Sequence, residues 1–412
     1  MKSKPHVFRD PLHGYIDTDE KVSEIIDTPW FQRLRRIKQL GFTYYVYPTA
    51  EHTRFSHSLG CYHVAKELSK KLKIDNKAIL YAALLHDIGH GPFSHMLEQL
   101  LGDHEEWTQR ILLEFSDDIE NIINYKEDFQ IKVENIISIL RGEHEYSSII
   151  SSQLDVDRLD YLLRDSYFVG VEYGKFDIHR LLHTLRYENG VVKIDYKGRH
   201  VIESYVLARY HMYQQVYFHH TTRGIVKLVE SILKRAKEIY DKSEINLIYS
   251  MESIFNGKLN VENYLILDDS SVIEQIKTWK NAKDKILSDL CKRFLNRKLL
   301  KPIDIGSSEE FMWKKPNVKN KIKNLLTSKG YDPEYYLLED IAADVPYKPY
   351  HPGEEESSIF MESKDKRNIY TIEEVSKVIS VLTHKESVKR IYIPSQTRKK
   401  IETLIRGIEV LE

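Results

Sequence analysis

His86 and Asp87 are adjacent and close an apolar run, AILYAALL, so one helix end delivers an imidazole and a carboxylate together. Two more residues of the same kinds lie in segments of helical pattern, His57 in RFSHSLG and Asp157 in LDVDRLDYLLRD. Mixed imidazole and carboxylate ligation suits hard or borderline divalent metals, and with open positions it activates water and neutralises phosphate charge. Directly after the pair, HDIGHGPFSH adds His90 and His95, and His104 follows. Taken singly, each histidine reads as a packed or surface residue, and an HD dipeptide alone carries little information. The combination is what points to a site.

Residues from several distant segments have to be brought together, and the pattern around them is mostly helical. Residues 5–18, with Pro5, Pro11 and Gly14, suit a short hairpin or irregular lead-in. Asp19–Leu40 reads as one or two short helices, with Pro29 marking a start or break. Helices are then expected at 54–73, 77–88, 92–101, 104–116, 130–140, 147–152, 155–164 and 177–183, with one long amphipathic helix over 203–240. Gly89 and Gly91 break the helix that carries His86 and Asp87. VVKIDYKG reads as a small strand pair, the helical pattern resumes from 245 to Leu300, and KRIYIPSQTRKKIETLI gives a strand followed by a helix. PYKPYHPGEEESS is the expected mobile, exposed loop. The fold class is therefore mainly α with a smaller α+β C-terminal lobe, divided as 1–240 and 241–412.

Composition narrows the function classes. At 412 residues the chain exceeds what one core serves, and 42% hydrophobic with 30% charged residues is ordinary for a globular protein. Lys plus Arg number 61 against 62 Asp plus Glu, so no global charge draws the chain to nucleic acid or to an anionic membrane. Cys61 and Cys291 lie far apart, which argues against a disulfide framework and a cysteine-rich zinc site. Without a signal-like N-terminus or a long apolar stretch, a cytoplasmic location is expected.

DPLHGYIDTDEKVSEIIDTPWFQRLRRIKQLG, YPTAEHTRFSHSLG, HDIGHGPFSHMLE and DVDRLDYLLRD, in that order, resemble the HD-domain deoxynucleoside triphosphate triphosphohydrolases. These include mammalian members that join a sterile alpha motif to an HD domain, and prokaryotic relatives. The resemblance is strong over residues 5–240 and weaker beyond, and no sterile alpha motif is expected before the HD domain. It implies an HD-domain helical bundle, and His57, His86, Asp87 and Asp157 as ligands of a divalent metal: Fe, Mn, Mg, Co, Ni or Zn. It makes His104 the acid with Glu98 as its partner, where mammalian members carry Asp, and turns His90 and His95 to the phosphates or to a second metal-bound water. Arg54, Arg158 and Arg209 match phosphate-binding positions, with Arg158 replacing a Lys. Gln39, Leu40, Tyr161, Asp165 and Tyr217 match the deoxyribose pocket, and His219 a weaker substrate contact. Asp27, Gln32, Arg35, Arg297 and Lys301 match positions that bind activating nucleotides, GTP or a dNTP, between subunits of a homo-oligomer. His6 and Arg9 depart from that pattern, standing where the mammalian enzyme has Lys and Asn.

The implied reaction is hydrolysis of dNTPs to deoxynucleoside and tripolyphosphate. Two other readings compete. An HD hydrolase could act on another nucleotide or a nucleic-acid end, which the ligands alone do not separate. A non-catalytic module could sense nucleotides or bind nucleic acid through KRFLNRKLLK and TRKKIETLIR, but near-zero net charge and the lack of interleaved aromatic residues weigh against it.

Overall fold

The computed structural model describes residues 4–188, 190–240, 245–306, 309–310, 313–344, 358–383 and 386–406. In chain order the elements used below begin with β1 (Val7–Asp10), β2 (Gly14–Asp17), α1 (Glu20–Ile26), α2 (Arg54–Leu72), α3 (Ala78–Leu85) and α4 (His104–Glu114). Next come α5 (Val133–Leu140), α6 (Val156–Val169), β3 (Leu185–Glu188), β4 (Val191–Ile194), α7 (Arg199–Met212) and α8 (His220–Tyr240). The remainder are α9 (Lys285–Leu295), β5 (Lys301–Asp304), α10 (Pro316–Ser328), β6 (Leu338–Asp344), β7 (Phe360–Glu362), β8 (Ile369–Thr371), β9 (Glu386–Ile393) and α11 (Arg398–Arg406). The protein is mainly helical with small sheets, as the sequence implies. None of the described helices is long and apolar enough to cross a membrane.

Two compact units form, and they interleave along the chain. The first joins Met1–Tyr213, Leu259–Asp269 and Val345–His384; the second joins Gln214–Lys258, Ser270–Asp344 and Lys385–Glu412. A single division at residue 240 does not coincide with them.

In the first unit α3 is the central helix. Its sequence is apolar all round, and Ala78, Ile79, Tyr81, Ala82, Ala83, Leu84 and Leu85 are buried, with Leu80 half-buried. Each such Leu or Ile contributes about 1.5–3 kcal/mol by leaving water. α2 and α6 are longer and mixed, burying polar residues as well: His57 and Ser58 on α2, Asp160, Arg164 and Asp165 on α6. α6 starts at Asp155, whose carboxylate accepts the Arg158 N–H, and stops at Gly170, left-handed at φ 78°. β1 and β2 form an antiparallel hairpin with Asp10 opposite Gly14. A sheet of order β3-β4-β7-β8 completes the unit, with β4 and β7 parallel and the other pairs antiparallel.

The second unit holds an antiparallel sheet of order β5-β9-β6. Its core gathers Ile303, Ile391 and Ile393 from the sheet with Val318, Ile322 and Leu326 from α10 and Ile401 and Ile405 from α11. The strand and helix expected in KRIYIPSQTRKKIETLI are β9 and α11.

Three expectations change. The expected helix over 92–101 is instead a left-handed pair, Phe93 and Ser94 at φ 57°, then a 3-10 turn Ser94–Leu97 and a short helix Glu98–Leu101. The long helix over 203–240 is interrupted by a π-helical turn at Tyr213–Tyr217, which inserts extra backbone between α7 and α8. VVKI pairs not with the following residues but with β3 before it, while Tyr196–Gly198 makes a 3-10 turn. In PYKPYHPGEEESS, residues 346–357 lie outside the described residues.

Candidate metal centre

His57 on α2, His86 and Asp87 just past the end of α3, and Asp157 in the first turn of α6 converge in the first unit. His57 Nε2 lies 3.0 Å from Asp157 Oδ1 and 3.5 Å from Asp87 Oδ2. His86 Nε2 lies 3.3 Å from Asp87 Oδ1 and 3.6 Å from Asp157 Oδ1. Both rings are held from behind: His57 Nδ1 is 2.9 Å from Asp160 Oδ2, and His86 Nδ1 is 2.9 Å from the Ala83 carbonyl oxygen. A ring that donates through Nδ1 presents the lone pair of Nε2. His86 Nε2 is buried and makes no hydrogen bond, yet it faces two carboxylates. That arrangement is repulsive until a cation or proton sits among them, so the donor set fits a divalent metal.

Charges in the cluster hold one another. Burial works against a charged His57, but Cys61 and the hydrogen bonds to Asp157 and Asp160 raise its pKa well above the ordinary value. Burial likewise opposes ionised Asp157, and His57 and His86 hold its carboxyl far below the usual range. Asp87 is held well down in the same way, against burial, by Arg54, His86 and His90.

A second cluster lies alongside, built from His90, His95, Glu98 and His104. His104 Nδ1 is 2.6 Å from Glu98 Oε1, and His95 Nδ1 is 2.9 Å from the same oxygen. His90 stacks on His104 with ring centroids 4.0 Å apart, and its Nε2 is 3.2 Å from Asp87 Oδ1. Burial would lower the His104 pKa, but the hydrogen bond to Glu98 and the charge of Asp87 raise it; burial and then Arg54 push His90 well down. One cluster thus contains a protonatable imidazole beside a neutral one. The sequence-derived pairing of His104 with Glu98 is therefore present as a contact.

The other sequence candidates are divided between the first and the second unit. Arg54 is buried, with Nε 2.9 Å from Ser94 Oγ and Nη1 2.6 Å from Asp87 Oδ2. Tyr161 has its ring 6.4 Å from that of His57, and its phenol feels the charges of Arg209, Arg158 and Asp157. Arg158 is turned onto Asp155 and the Ser152 carbonyl, because its own helix cap supplies a buried carboxylate three residues back. Arg209 lies over the Tyr213 ring at 5.5 Å. Asp165 Oδ1 accepts from His52 Nε2 at 2.7 Å, Gln39 is buried, and Leu40 leads into the 3-10 turn Gly41–Tyr45. Tyr217 and His219 belong to the second unit, where burial and then His220 lower the His219 pKa to about 4.

Of the activator candidates, Asp27 pairs with His6 Nε2 at 2.9 Å, Gln32 Oε1 accepts from Arg35 Nε at 2.8 Å, and Arg35 lies over the Phe55 ring at 3.5 Å. In the second unit Arg297 and Lys301 line a cavity of about 670 Å³ with His220, Arg398 and Arg406.

Sequence reasoning passed over Cys61, His13, Asp160, Arg164 and Asp269. Cys61 follows His57 by one helical turn, with Sγ 3.5 Å from both ring nitrogens. Asp160 and Arg164 stand three and seven residues after Asp157, a spacing that puts them near its face of one helix and could have flagged them.

Residues 54–165 match the family model for the HD domain, and residues 176–411 match the HD associated region. The uncharacterized protein YwfO of Bacillus subtilis is 39% identical over 369 residues, covering 87% of this chain and 84% of that protein. A Dictyostelium discoideum protein, the deoxynucleoside triphosphate triphosphohydrolase SAMHD1 homolog, is 26% identical over 436 residues, covering 98% and 80%. A solved phosphohydrolase structure from Bacteroides thetaiotaomicron superposes with a TM-score of 0.81 at 30% identity, covering 94% of this chain and 99% of that one.

Proposed function

Because the chain belongs to the HD-domain family that carries an HD-associated region, a phosphohydrolase fold, we propose that it hydrolyses dNTPs to deoxynucleoside and tripolyphosphate. The observation that carries this reading is the pair of adjoining clusters: a buried imidazole and carboxylate set, and beside it the His104–Glu98 dyad. His57, His86, Asp87 and Asp157 would hold a divalent ion, which when bound would supply positive charge against the phosphates and acidify water. Glu98 fixes the His104 ring through Nδ1, leaving the Nε2 proton for the leaving 5′ oxygen as a water oxygen bonds to the α-phosphorus, gives its proton to solvent, and the bond from phosphorus to the 5′ oxygen breaks. Arg54, Arg158 and Arg209 are assigned to the triphosphate, whose several charges require pairing. Binding it requires Arg158 to exchange its Asp155 contact for a phosphate.

Gln39, Leu40, Tyr161, Asp165 and Tyr217 are assigned to the sugar, with His219 as an outer contact and His90 and His95 toward the phosphates. Tyr217→Ala is expected to narrow the preference for dNTPs over NTPs about tenfold, read from kcat/KM for both. We assign Asp27, Gln32, Arg35, Arg297 and Lys301 to an activating nucleotide in a homo-oligomer; Arg297, Lys301, Arg398 and Arg406, which line the second-unit cavity together with Asp304, Glu309 and Glu402, favour that role. Mass and activity measured with and without GTP and dATP test it, and no change in either removes it.

The primary test incubates the protein with each dNTP and NTP in Mg²⁺, Mn²⁺ or Co²⁺ and resolves the products by chromatography, with Asp157→Ala as the blank. Deoxynucleoside and tripolyphosphate absent from the blank support the proposal. No product from any nucleotide overturns it in favour of another phosphoester or a binding role.

A further inference from the structure

The turn of the β1–β2 hairpin is built by DPLHG. Asp10 Oδ1 accepts the backbone N–H groups of Leu12 and His13 at 2.9 and 3.1 Å, and Gly14 closes the turn at φ 74°. The outcome is that His13 points into the first unit, where its Nε2 lies 2.7 Å from Asp160 Oδ1. The same carboxylate accepts from Arg164 through Nε at 2.8 Å and Nη2 at 2.9 Å, and from His57 Nδ1 at 2.9 Å. Arg164 Nη1 returns to the hairpin at Asp10 Oδ2, 2.7 Å away. Asp160 and Arg164 are fully buried and Asp10 nearly so.

This ring of charges is costly to bury, and an apolar hairpin would pack without it. Its geometry has one outlet, the imidazole of His57. α2 makes room for it at Gly60, where a Cβ would stand 1.9 Å from Asp160 Oδ1. The hairpin touches α2 again through His13 and His63, whose ring centroids are 4.8 Å apart.

The geometry points to His13, with Asp10 and Arg164, as positioning residues for the metal ligand His57: the hairpin fixes the Asp160 carboxylate, and Asp160 fixes the ring that ligates. The inference rests on the reading of His57 as a ligand. A carboxylate behind a ligating histidine sets its tautomer and orientation, and losing such a partner typically weakens metal binding about 10–100-fold. His13 adds one donor to that carboxylate, so without it Asp160 is free to shift toward Arg164 and away from His57.

The test titrates the full-length chain with Co²⁺ and reads affinity together with the visible d–d absorption, which reports ligand geometry without any turnover. His13→Leu is expected to bind Co²⁺ roughly 10–100-fold more weakly with an altered spectrum, whereas His13→Gln, whose amide can still donate to Asp160, stays within about threefold of the parent. A folded His13→Leu with the parental affinity and spectrum overturns the inference. His57→Ala separates the two failures: Co²⁺ binding that survives it removes the ligand assignment itself. Should His13→Leu not fold, Asp10→Asn keeps the turn acceptor but takes away the charge opposite Arg164. It is expected to weaken Co²⁺ binding about threefold or more, and parental binding overturns the inference.

Discussion

The two histidine clusters of the first unit are neighbours with opposite construction. His57 and Asp157 stand on long helices, His57 and His86 are each tied from behind, and the His57 side chain is fully buried. His95, Glu98 and His104 stand on a 3-10 turn, a short helix and a helix start, and the His95 side chain is 60% exposed. The first arrangement preorganises its side chains before anything binds; the second leaves His95 and part of His104 reachable from solvent while His90 is buried. Such a division suits a reaction in which one side holds charge still and the other moves a proton.

Breaking the rigid side should have the largest effect. His86→Ala is expected to lower Mn²⁺ affinity and dNTP turnover together by roughly 10³-fold or more, measured by metal analysis and product release. Breaking the open side should separate the two readouts: His104→Ala is expected to lower kcat by about 10²–10⁴-fold while Mn²⁺ affinity stays within about twofold. Glu98→Gln should do less than either, lowering kcat roughly tenfold, since the ring keeps a neutral acceptor but loses the charge that favours its proton. Equal losses of metal and turnover in His104→Ala would erase the contrast.

A subtler prediction concerns what holds the open side in place. Phe93 donates its backbone N–H to Asp269 Oδ1 at 2.7 Å, Lys38 donates to Oδ2 at 3.0 Å, and Phe93 stacks on Phe42 at 4.0 Å. Burial raises the Asp269 pKa to about 7, against 3.8 for the free side chain. The folded chain therefore binds more protons than the unfolded one between these values, so this contribution is complete below pH 3.8 and fades as pH rises through 7. Urea unfolding from pH 5 to 8 should lose a component of at most roughly 3 kcal/mol in the parent that is missing in Asp269→Asn. A parallel pH profile in both proteins would count against the anchor.

The convergence of His57, His86, Asp87 and Asp157 was legible because polar residues that end or interrupt apolar helical runs stand out, as His86 and Asp87 do after AILYAALL. Their supports were not. His13 meets Asp160 across 147 positions, and nothing in local pattern encodes that contact. The segment 92–101 reads as helix since neither Phe93 nor Ser94 announces a left-handed backbone; a carboxylate 176 residues on secures it. The amphipathic rhythm through 203–240 hid the π-turn, because inserted backbone leaves both flanking helices regular. Hairpin, helix starts at Asp155 and Pro29, and the β9–α11 end were readable from caps and turn residues.

The strand orders bear on how the chain is made. In the first unit β4 acquires its second neighbour only with β7, at residue 360, and in the second unit the central strand is β9, which ends at residue 393 of 412. A ribosome releases β7 and β9 after the strands they pair with, so β4 waits with an open edge for β7, and β5 and β6 wait for β9. The first sheet is complete with β8 and the second only with β9, so a stop codon before β7 leaves both sheets unfinished and one between β8 and β9 leaves only the second unfinished.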